Sequence, residues 1–491
     1  MKSIQSFEQV YFVGIGGIGM SALARFFKFS GKDVAGYDKV ETTLTQQLSQ
    51  EGIAIHYEDL QADIPQAFQN PETTLVVYTP AIKELGELAF FQANHFQILK
   101  RAEVLGVLTK TFQGLCVAGT HGKTTTSSLL AHLLTELGAG CTAFLGGIAS
   151  NFDSNLVLHA QSPYAVIEAD EFDRSFLQLS PYAAIITAAD PDHLDIYGSA
   201  DSFVEGFRQF SLRIDPKGFC VQKEGLSLPS LAKVITYAID SSTATYSLTN
   251  LRYEQGFQVA DLRIGKDIFP NIELGLPGIH NAENALGCMA LLHLLGYEIA
   301  DLRPALKSFK GVKRRFEYQL RSNELVYIDD YAHHPIEINA LISSVRSMYP
   351  NWPIIGIFQP HLFSRTKDFA QEFAASLAAL DQLYLLPIYP ARELPIPGVT
   401  SEWLRDLTLL DAKAVLPSHE VLLALKSIKK GVVLTIGAGD IDRMVAPLTE
   451  LLKMQITQPW KFGFWGFFGC SCLLELGWFF ISLDKQSKEK Y

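Results

Sequence analysis

Two glycine-rich stretches, each between an apolar strand pattern and a helix pattern, constrain this chain more than any other feature. The first is Gly14-Ile-Gly-Gly-Ile-Gly19, which closes the apolar run Val10–Ile15 and precedes the helical run Ser21–Phe29. Glycines there let the backbone approach a pyrophosphate, and the helix N-terminus adds N–H donors and a positive dipole end. Asp38 follows the strand Val34–Tyr37, 19 residues after Gly19, where a ribose-binding acid is expected. The second stretch is Gly119-Thr-His-Gly-Lys-Thr-Thr-Thr126, between the strand Leu115–Ala118 and the helix Thr124–Leu137. Its backbone N–H groups and Lys123 suit β- and γ-phosphates, and Thr124 can reach Mg²⁺. A Walker motif has Gly five positions before Gly122, where this chain has Val117, so the loop is a shortened type.

Strand and helix patterns alternate around both loops, which predicts parallel sheets with helices on their faces. Leu75–Tyr78 reads as a further strand of the first unit, and Thr111–Gly114 interrupts the pattern. Ala165–Glu168 and Ala183–Thr187 read as strands of the second unit, and Asn281–Leu295 as a helix ended by Gly296. Residues 219–275, rich in Thr, Ser, Tyr and Val, read as a β-rich insertion. A third unit has strands at Leu325–Ile328, Ile354–Phe358, Gln382–Leu386 and Val432–Ile436, with a helix at Phe369–Leu380. The expected fold is therefore α/β in three domains. They are a Rossmann-like 1–112, a P-loop ATPase-like parallel sheet with a β-rich insertion at 113–317, and a Rossmann-like 318–455. At roughly 150 residues per domain, 491 residues leave a remainder, the tail 456–491.

Composition matters for what it excludes. With 48% apolar and 19% charged residues the chain can bury large cores and is not disordered as a whole. A net charge of −11 without a long basic run argues against general nucleic-acid binding, which rests on phosphate neutralisation. Cys116, Cys141, Cys220 and Cys288 stand singly in apolar surroundings and no C-x-x-C pair exists, so buried reduced thiols are expected. Met1–Val10 has no apolar h-region, which predicts a cytoplasmic body without a signal peptide.

Acids and histidines cluster just past predicted strands, where ligands bind in open α/β sheets. Glu168-Ala-Asp-Glu171 and Asp190-Pro-Asp-His-Leu-Asp195 follow two strands of the second unit. Asp329-Asp-Tyr-Ala-His-His-Pro335 and Gln359-Pro-His-Leu-Phe-Ser-Arg-Thr366 follow two strands of the third. Of the twelve histidines, six (121, 193, 280, 333, 334 and 361) lie in such loops or in the motifs before them, more than scatter would place there. The loops alone leave open a hydrolase with a dinucleotide sensor, NAD being the default ligand of the first loop. They equally allow a ligase that takes a nucleotide-linked substrate and then ATP.

In this order the motifs resemble the Mur ligases, ATP-dependent amino-acid ligases of peptidoglycan precursor synthesis, over about residues 8–453. The resemblance also rests on Pro277-Gly-Ile-His-Asn281 with Asn284-Ala285, and on Lys313-Arg-Arg-Phe-Glu317. Within the family it points to the branch that joins L-alanine to UDP-N-acetylmuramate, with consequences for cell shape, division and cell cycle. A ligase recycling a murein tripeptide, and an NAD-linked sensor with an ATPase switch, are the alternatives. The resemblance implies that Gly14, Gly16, Gly17, Gly19 and Asp38 hold the UDP-sugar. It gives ATP to Gly119, Thr120, His121, Gly122, Lys123, Thr124, Thr125, Asn284, Arg315 and Asp330. Mg²⁺ falls to Thr124, Glu168 and His193, and the amino acid to Tyr331, His333, His361 and Arg365. Lys123, His193, Arg315, His333 and His361 are the implied catalytic residues, with His333 or His361 as base. Leu362 stands where relatives often carry Arg. Several relatives also carry a carbamylated Lys after the position of His193; here Arg208 is the nearest base by spacing.

The resemblance stops near Met454. Three of the five Trp lie in the last 36 residues, and Phe462–Ile481 holds 14 apolar side chains, four Gly, one Ser and Glu475. The length fits a membrane span, but an acid near its middle costs roughly 2.5–3.5 kcal/mol on the insertion scale for Asp. Lys485, Lys488 and Lys490 would favour the side on which the body already lies. The readings left open are membrane-surface contact through 460–483, peripheral to the inner membrane, a single span, and a disordered or gene-boundary extension. Oligomeric state is not legible.

Overall fold

A computed structural model of the chain describes residues 2–79, 82, 85–191, 194–254, 257–391 and 393–457. The first sheet is built from β1 Gln9–Val13, β2 Asp33–Tyr37, β3 Ala54–His56, β4 Thr74–Tyr78 and β5 Gln97–Lys100. Its strands are parallel, in the order β3-β2-β1-β4-β5. Between them run α1 Ile18–Phe29, α2 Thr43–Gln50 and α3 Gly86–Ala93, and α4 Arg101–Thr111 follows β5. Val10 and Phe12 pack on one face of β1, Tyr11 and Val13 on the other. Both faces being buried, the strand reads as an unbroken apolar run. The strand order reverses beside β1, so the crevice past its carboxyl end, occupied by Gly14–Gly19, is where such sheets bind ligands.

The central sheet takes ten strands. They are β6 Gln113–Ala118, β7 Thr142–Ala149, β8 Ser154–Val157, β9 Tyr164–Ala169, β10 Ala183–Ile186, β11 Phe219–Lys223, β12 Lys233–Ile239, β13 Tyr246–Glu254, β14 Phe257–Ile264 and β15 Asp267–Leu274. The order is β15-β14-β13-β12-β11-β10-β6-β9-β7-β8, with β8, β14 and β15 paired antiparallel. The 219–275 stretch therefore continues the main sheet, since β11 pairs in parallel with β10. Its half-polar alternation comes from strands covered on one side only. The helices are α5 Lys123–Glu136, α6 Leu194–Tyr197, α7 Ala200–Ser211, α8 Ile279–Leu294 and α9 Ile299–Ser308. Leu115 and Val117 pack under α5 and α8. Cys116 and Ala118 face a core shared with Phe27 of α1 and Leu105 of α4, which joins the first and central sheets. The four cysteines expected as buried thiols are buried and free.

The third sheet is β16 Glu317–Arg321, β17 Leu325–Asp330, β18 Ile354–Phe358, β19 Gln382–Leu385, β20 Lys413–Val415 and β21 Gly431–Ile436. Its order is β16-β17-β21-β18-β19-β20, parallel except for β16. The helices are α10 Pro335–Met348, α11 Phe363–Asp368, α12 Ala370–Leu377, α13 Ser401–Leu407, α14 Ser418–Ala424 and α15 Val445–Thr457. Ile338 and Phe373 cover one face, Val421 and Leu448 the other. The expected α/β class, with Rossmann-like sheets flanking a P-loop sheet, is thus observed.

Candidate active site at two junctions

The first loop is held from behind. Gly16 N–H donates to Asp38 Oδ2 at 2.7 Å, so Asp38 ties the loop to the end of β2. Gly14 has φ +86°, and a Cβ there would lie 2.8 Å from Ile82 Cδ1, which explains the glycine. A Cβ on Gly19 would lie 2.1 Å from Arg101 Nη1. Arg101 begins α4 and reaches back to within 3.6 Å of Asp170 Oδ2. Asn155 donates to Ile18 O and to Ser21 Oγ at 2.9 Å, and accepts from Arg25 at 2.7 Å, locking α1 onto β8. A cavity of about 440 Å³ opens at this junction, lined by Gly17, Gly19, Arg101, Gly146, Glu168 and Asp170 among others.

The second loop enters α5 through Gly122, at φ +82°. A Cβ there would come within 2.5 Å of Asn284 Oδ1, so Asn284 lies directly against the loop. Lys123 Nζ donates to Gly119 O at 2.8 Å and to both oxygens of Glu171 at 2.7 Å. Burial pulls the Lys123 ammonium down, but Glu171, Asp170 and Glu168 outweigh it and hold it above its ordinary value. Burial pushes the Glu171 carboxyl up against the pull of Lys123. Thr124 Oγ1 donates to Glu168 Oε1 at 3.0 Å, while Gly146 N–H donates to Glu168 Oε2 at 2.9 Å. Thr120 Oγ1 donates to Asp190 O at 2.9 Å. A hydroxyl and a carboxylate side by side are the hard oxygen donors that Mg²⁺ takes alongside phosphate oxygens. Asp192 and His193 lie outside the described residues.

A second cavity, of about 250 Å³, lies between the P-loop and the third unit. Its lining includes His121, Gly122, Thr125, Asn284, Arg315 and Asp330. Asp330 accepts the N–H groups of Phe316 at 2.7 Å and Ala332 at 2.8 Å. Burial pushes its carboxyl up to about 6, against Arg315 and those two donors. Arg314 and Arg315 flank the Tyr331 ring at 5.2 and 5.0 Å. His333 and His361 are neighbours, ring centroids 6.3 Å apart, and His361 stacks on Tyr389. Burial, His333 and Arg365 lower His361 to about 4. Leu362 has φ +69°, a strained value for a side-chain-bearing residue.

The structure thus brings together the residues expected for ATP and those expected for the amino acid, and places the first loop at a separate junction with Glu168 between. Arg208 is not among them: it is exposed and paired with Glu205 at 3.2 Å. Arg101, His280 and Glu337 also line these junctions, and Glu171 pairs with Lys123 beside them, all unassigned from the sequence. Glu171 stood inside a quoted motif; Arg101 had no local signal, because only the fold returns α4 to the first loop. The tail from 458 on lies outside the described residues, and with it the reading of membrane contact. Among the described residues no helix is long and apolar enough to cross a membrane.

Three mostly parallel α/β units, with a shortened P-loop between two junctions that each hold a cavity, define an α/β protein of the nucleotide-binding class. The family model "Mur ligase family, catalytic domain" matches residues 9–113, "Mur ligase middle domain" 117–292, and "Mur ligase, glutamate ligase domain" 314–439. The chain belongs to the Mur ligase family. It is 50% identical to UDP-N-acetylmuramate--L-alanine ligase of Parabacteroides distasonis over 462 residues, covering 93% of this chain and all of that protein. The Porphyromonas gingivalis protein of the same description is 48% identical, over 91% of this chain and 99% of its own length. The crystal structure of UDP-N-acetylmuramate-alanine ligase MurC from Thermotoga maritima superposes with a TM-score of 0.77 at 30% identity, covering 92% of this chain and all of that one.

Proposed function

We propose that the chain is the ATP-dependent ligase that joins L-alanine to the lactyl carboxylate of UDP-N-acetylmuramate in peptidoglycan precursor synthesis. The observation that carries the reading is Glu168: it lines the junction of the first loop while its carboxylate holds Thr124 of the second. A nucleotide-linked carboxylate in one junction therefore meets the phosphates of ATP in the other. Residues 1–112 are assigned the UDP-sugar, 113–317 ATP, and 318–455 the amino acid. Gly14, Gly16, Gly17 and Gly19 hold the diphosphate, with Asp38 fixing their loop. Gly119–Thr125 take the ATP phosphates, and Asn284, Arg315 and Asp330 line the nucleotide cavity.

In the first step a carboxylate oxygen attacks the γ-phosphorus, the bond to the bridging oxygen breaks, and ADP leaves. Two anions must approach, so Lys123 and Arg315 neutralise charge electrostatically. Thr124 and Glu168, with His193, would hold Mg²⁺, which neutralises phosphate charge when bound. In the second step the L-alanine nitrogen attacks the acyl carbon of the acyl phosphate, and inorganic phosphate leaves. The amine must first lose a proton. Burial lowers both histidines, but His333 is the better placed base, because its Nδ1 is held by the Tyr331 carbonyl at 3.0 Å with Glu337 at 3.4 Å, which leaves Nε2 to accept. Tyr331 and Arg365 complete the amino-acid site. We infer a cytoplasmic body, where ATP and the nucleotide-linked substrate are supplied, and, from the composition of the tail 460–483, a contact with the inner membrane surface.

ADP release measured with UDP-N-acetylmuramate plus L-alanine, plus murein tripeptide, or with neither tests the assignment. Release only with L-alanine is expected, and Lys123→Ala should reduce it to background. Release with tripeptide alone would make the chain a recycling ligase, and release without any acceptor an ATPase switch.

A further inference from the structure

Glu337 takes no part in the chemistry above, yet three residues of the two reacting sides converge on it. It lies in the first turn of α10, and its side chain is 20% exposed. Its Oε2 accepts the His333 backbone N–H at 3.0 Å and stands 3.4 Å from His333 Nδ1. Its Oε1 stands 3.6 Å from His121 Nδ1 of the phosphate loop and 3.9 Å from Arg315 Nη1. His121 Nδ1 is buried and finds no hydrogen-bond partner within 3.5 Å among the described residues, with Glu337 Oε1 just beyond that reach. One carboxylate thus touches the P-loop, the segment between the central and third sheets, and the amino-acid side.

The geometry at His333 gives this a chemical meaning. His333 Nδ1 lies 3.0 Å from the Tyr331 carbonyl oxygen, which can only accept. With Glu337 on the same side, Nδ1 carries the proton and Nε2 keeps its lone pair. We propose that Glu337 is a positioning residue for proton transfer: it fixes His333 in the Nδ1–H tautomer, stabilises the imidazolium that forms, and ties that histidine to His121 and Arg315. The inference rests on the reading of His333 as the base. In the second step one ammonium proton of L-alanine passes to His333 Nε2 and the freed nitrogen pair attacks the acyl carbon. Phosphate departs with the bonding pair and takes up the second nitrogen proton, leaving as hydrogen phosphate and a neutral amide.

The groups facing His333 are Glu337 from α10, Arg365 from α11, Arg315 from the segment before β16, His361 past β18, and Tyr331 on its own loop. Burial and the two arginines push His333 below its ordinary value, and Glu337 and the Tyr331 carbonyl push back. Glu337 itself stays ionised: burial opposes its charge, but His121, His333 and Arg315 outweigh burial and hold the carboxyl well below the usual range.

The test uses the full chain and the pH profile of kcat/KM for L-alanine. Glu337→Gln should lower kcat/KM by roughly tenfold or more and move the acid limb to lower pH, with KM for UDP-N-acetylmuramate unchanged. Glu337→Asp keeps the charge and should leave the limb in place with a smaller loss. His333→Gln should abolish the limb. A limb that persists in His333→Gln overturns the base reading. A limb lost in His333→Gln but unmoved in Glu337→Gln overturns the role of Glu337 alone. Imidazole ¹⁵N chemical shifts of the unaltered protein decide the point without any variant: Nδ1–H on His333 is expected, and Nε2–H overturns the proposal.

Discussion

A buried acid in the first sheet carries a pH signature of its own. Glu87, in the first turn of α3, is fully buried. Tyr11 of β1 donates to its Oε2 at 2.6 Å, and His56 at the end of β3 stands 3.3 Å from its Oε1. The neighbouring Asp59 accepts the N–H groups of Gly86 and Glu87. Burial raises the Glu87 carboxyl to about 7 from 4.5, helped by Asp59 and Asp63 and opposed by the Tyr11 hydrogen bond. Between those pH values the folded state binds the proton more tightly than the unfolded one, so stability falls as pH rises through the window. What the protonated carboxyl contributes is fully present below about 4.5 and lost through about 7. Gln imitates the protonated form and does not titrate. Glu87→Gln should therefore gain stability over the unaltered chain on going from pH 4.5 to pH 8, by on the order of 1–2 kcal/mol. Urea melts at the two pH values check this, and a gap that stays constant would show that the buried charge costs nothing.

At the scale of elements, α4 shows how a local rule is overridden. Gly106 is in mid-helix, where Ala would ordinarily gain about 1 kcal/mol from propensity. Here a Cβ would lie 2.4 Å from the Gln178 backbone oxygen, in the 3-10 segment Phe172–Gln178 beside the P-loop partner Glu171. Backbone cannot swing away as a side-chain tip can, so Gly106→Ala should destabilise by about 1–3 kcal/mol, with a lower Tm as the readout. It should also weaken UDP-N-acetylmuramate binding, because α4 carries Arg101. The same physics marks what the sequence could tell. β1, β2, β4, β6, β9, β10, β17, β18, β19 and β21 were legible because apolar strands buried on both faces, such as Ile354–Phe358, look like nothing else. β3 and β5 are three- and four-residue strands with half-buried side chains and left no such mark. The two strand–glycine loop–helix turns were legible because glycine requirements are local. Arg101 and Glu337 were not, since each acquires its meaning from a neighbour that is distant in the chain or set by loop geometry.

For the whole molecule the question is where the ligase body ends. The last family-matched position is 439, yet α15 extends to Thr457. Leu448 and Leu452 of α15 are fully buried against Tyr327, Val433 and Ile441, so this helix closes one face of the third sheet. Removing it would expose that core, and a chain cut after Met444 should lose its third unit and with it L-alanine-dependent turnover. Beyond Thr457 the composition changes to aromatic and glycine-rich. The Parabacteroides relative is matched over its full length by 93% of this chain. A chain cut after Thr457 should keep ADP release within about twofold, and melting should be unchanged, since every described core residue is kept. What it should lose is partition onto vesicles of anionic lipid, because the apolar run Phe462–Ile481 with Lys485, Lys488 and Lys490 is the part suited to a membrane surface. Co-sedimentation of the full and shortened chains with such vesicles, beside the ADP assay, separates the two roles. Equal sedimentation would remove the membrane reading and leave the ligase untouched, whereas loss of turnover on shortening would make the tail part of the enzyme.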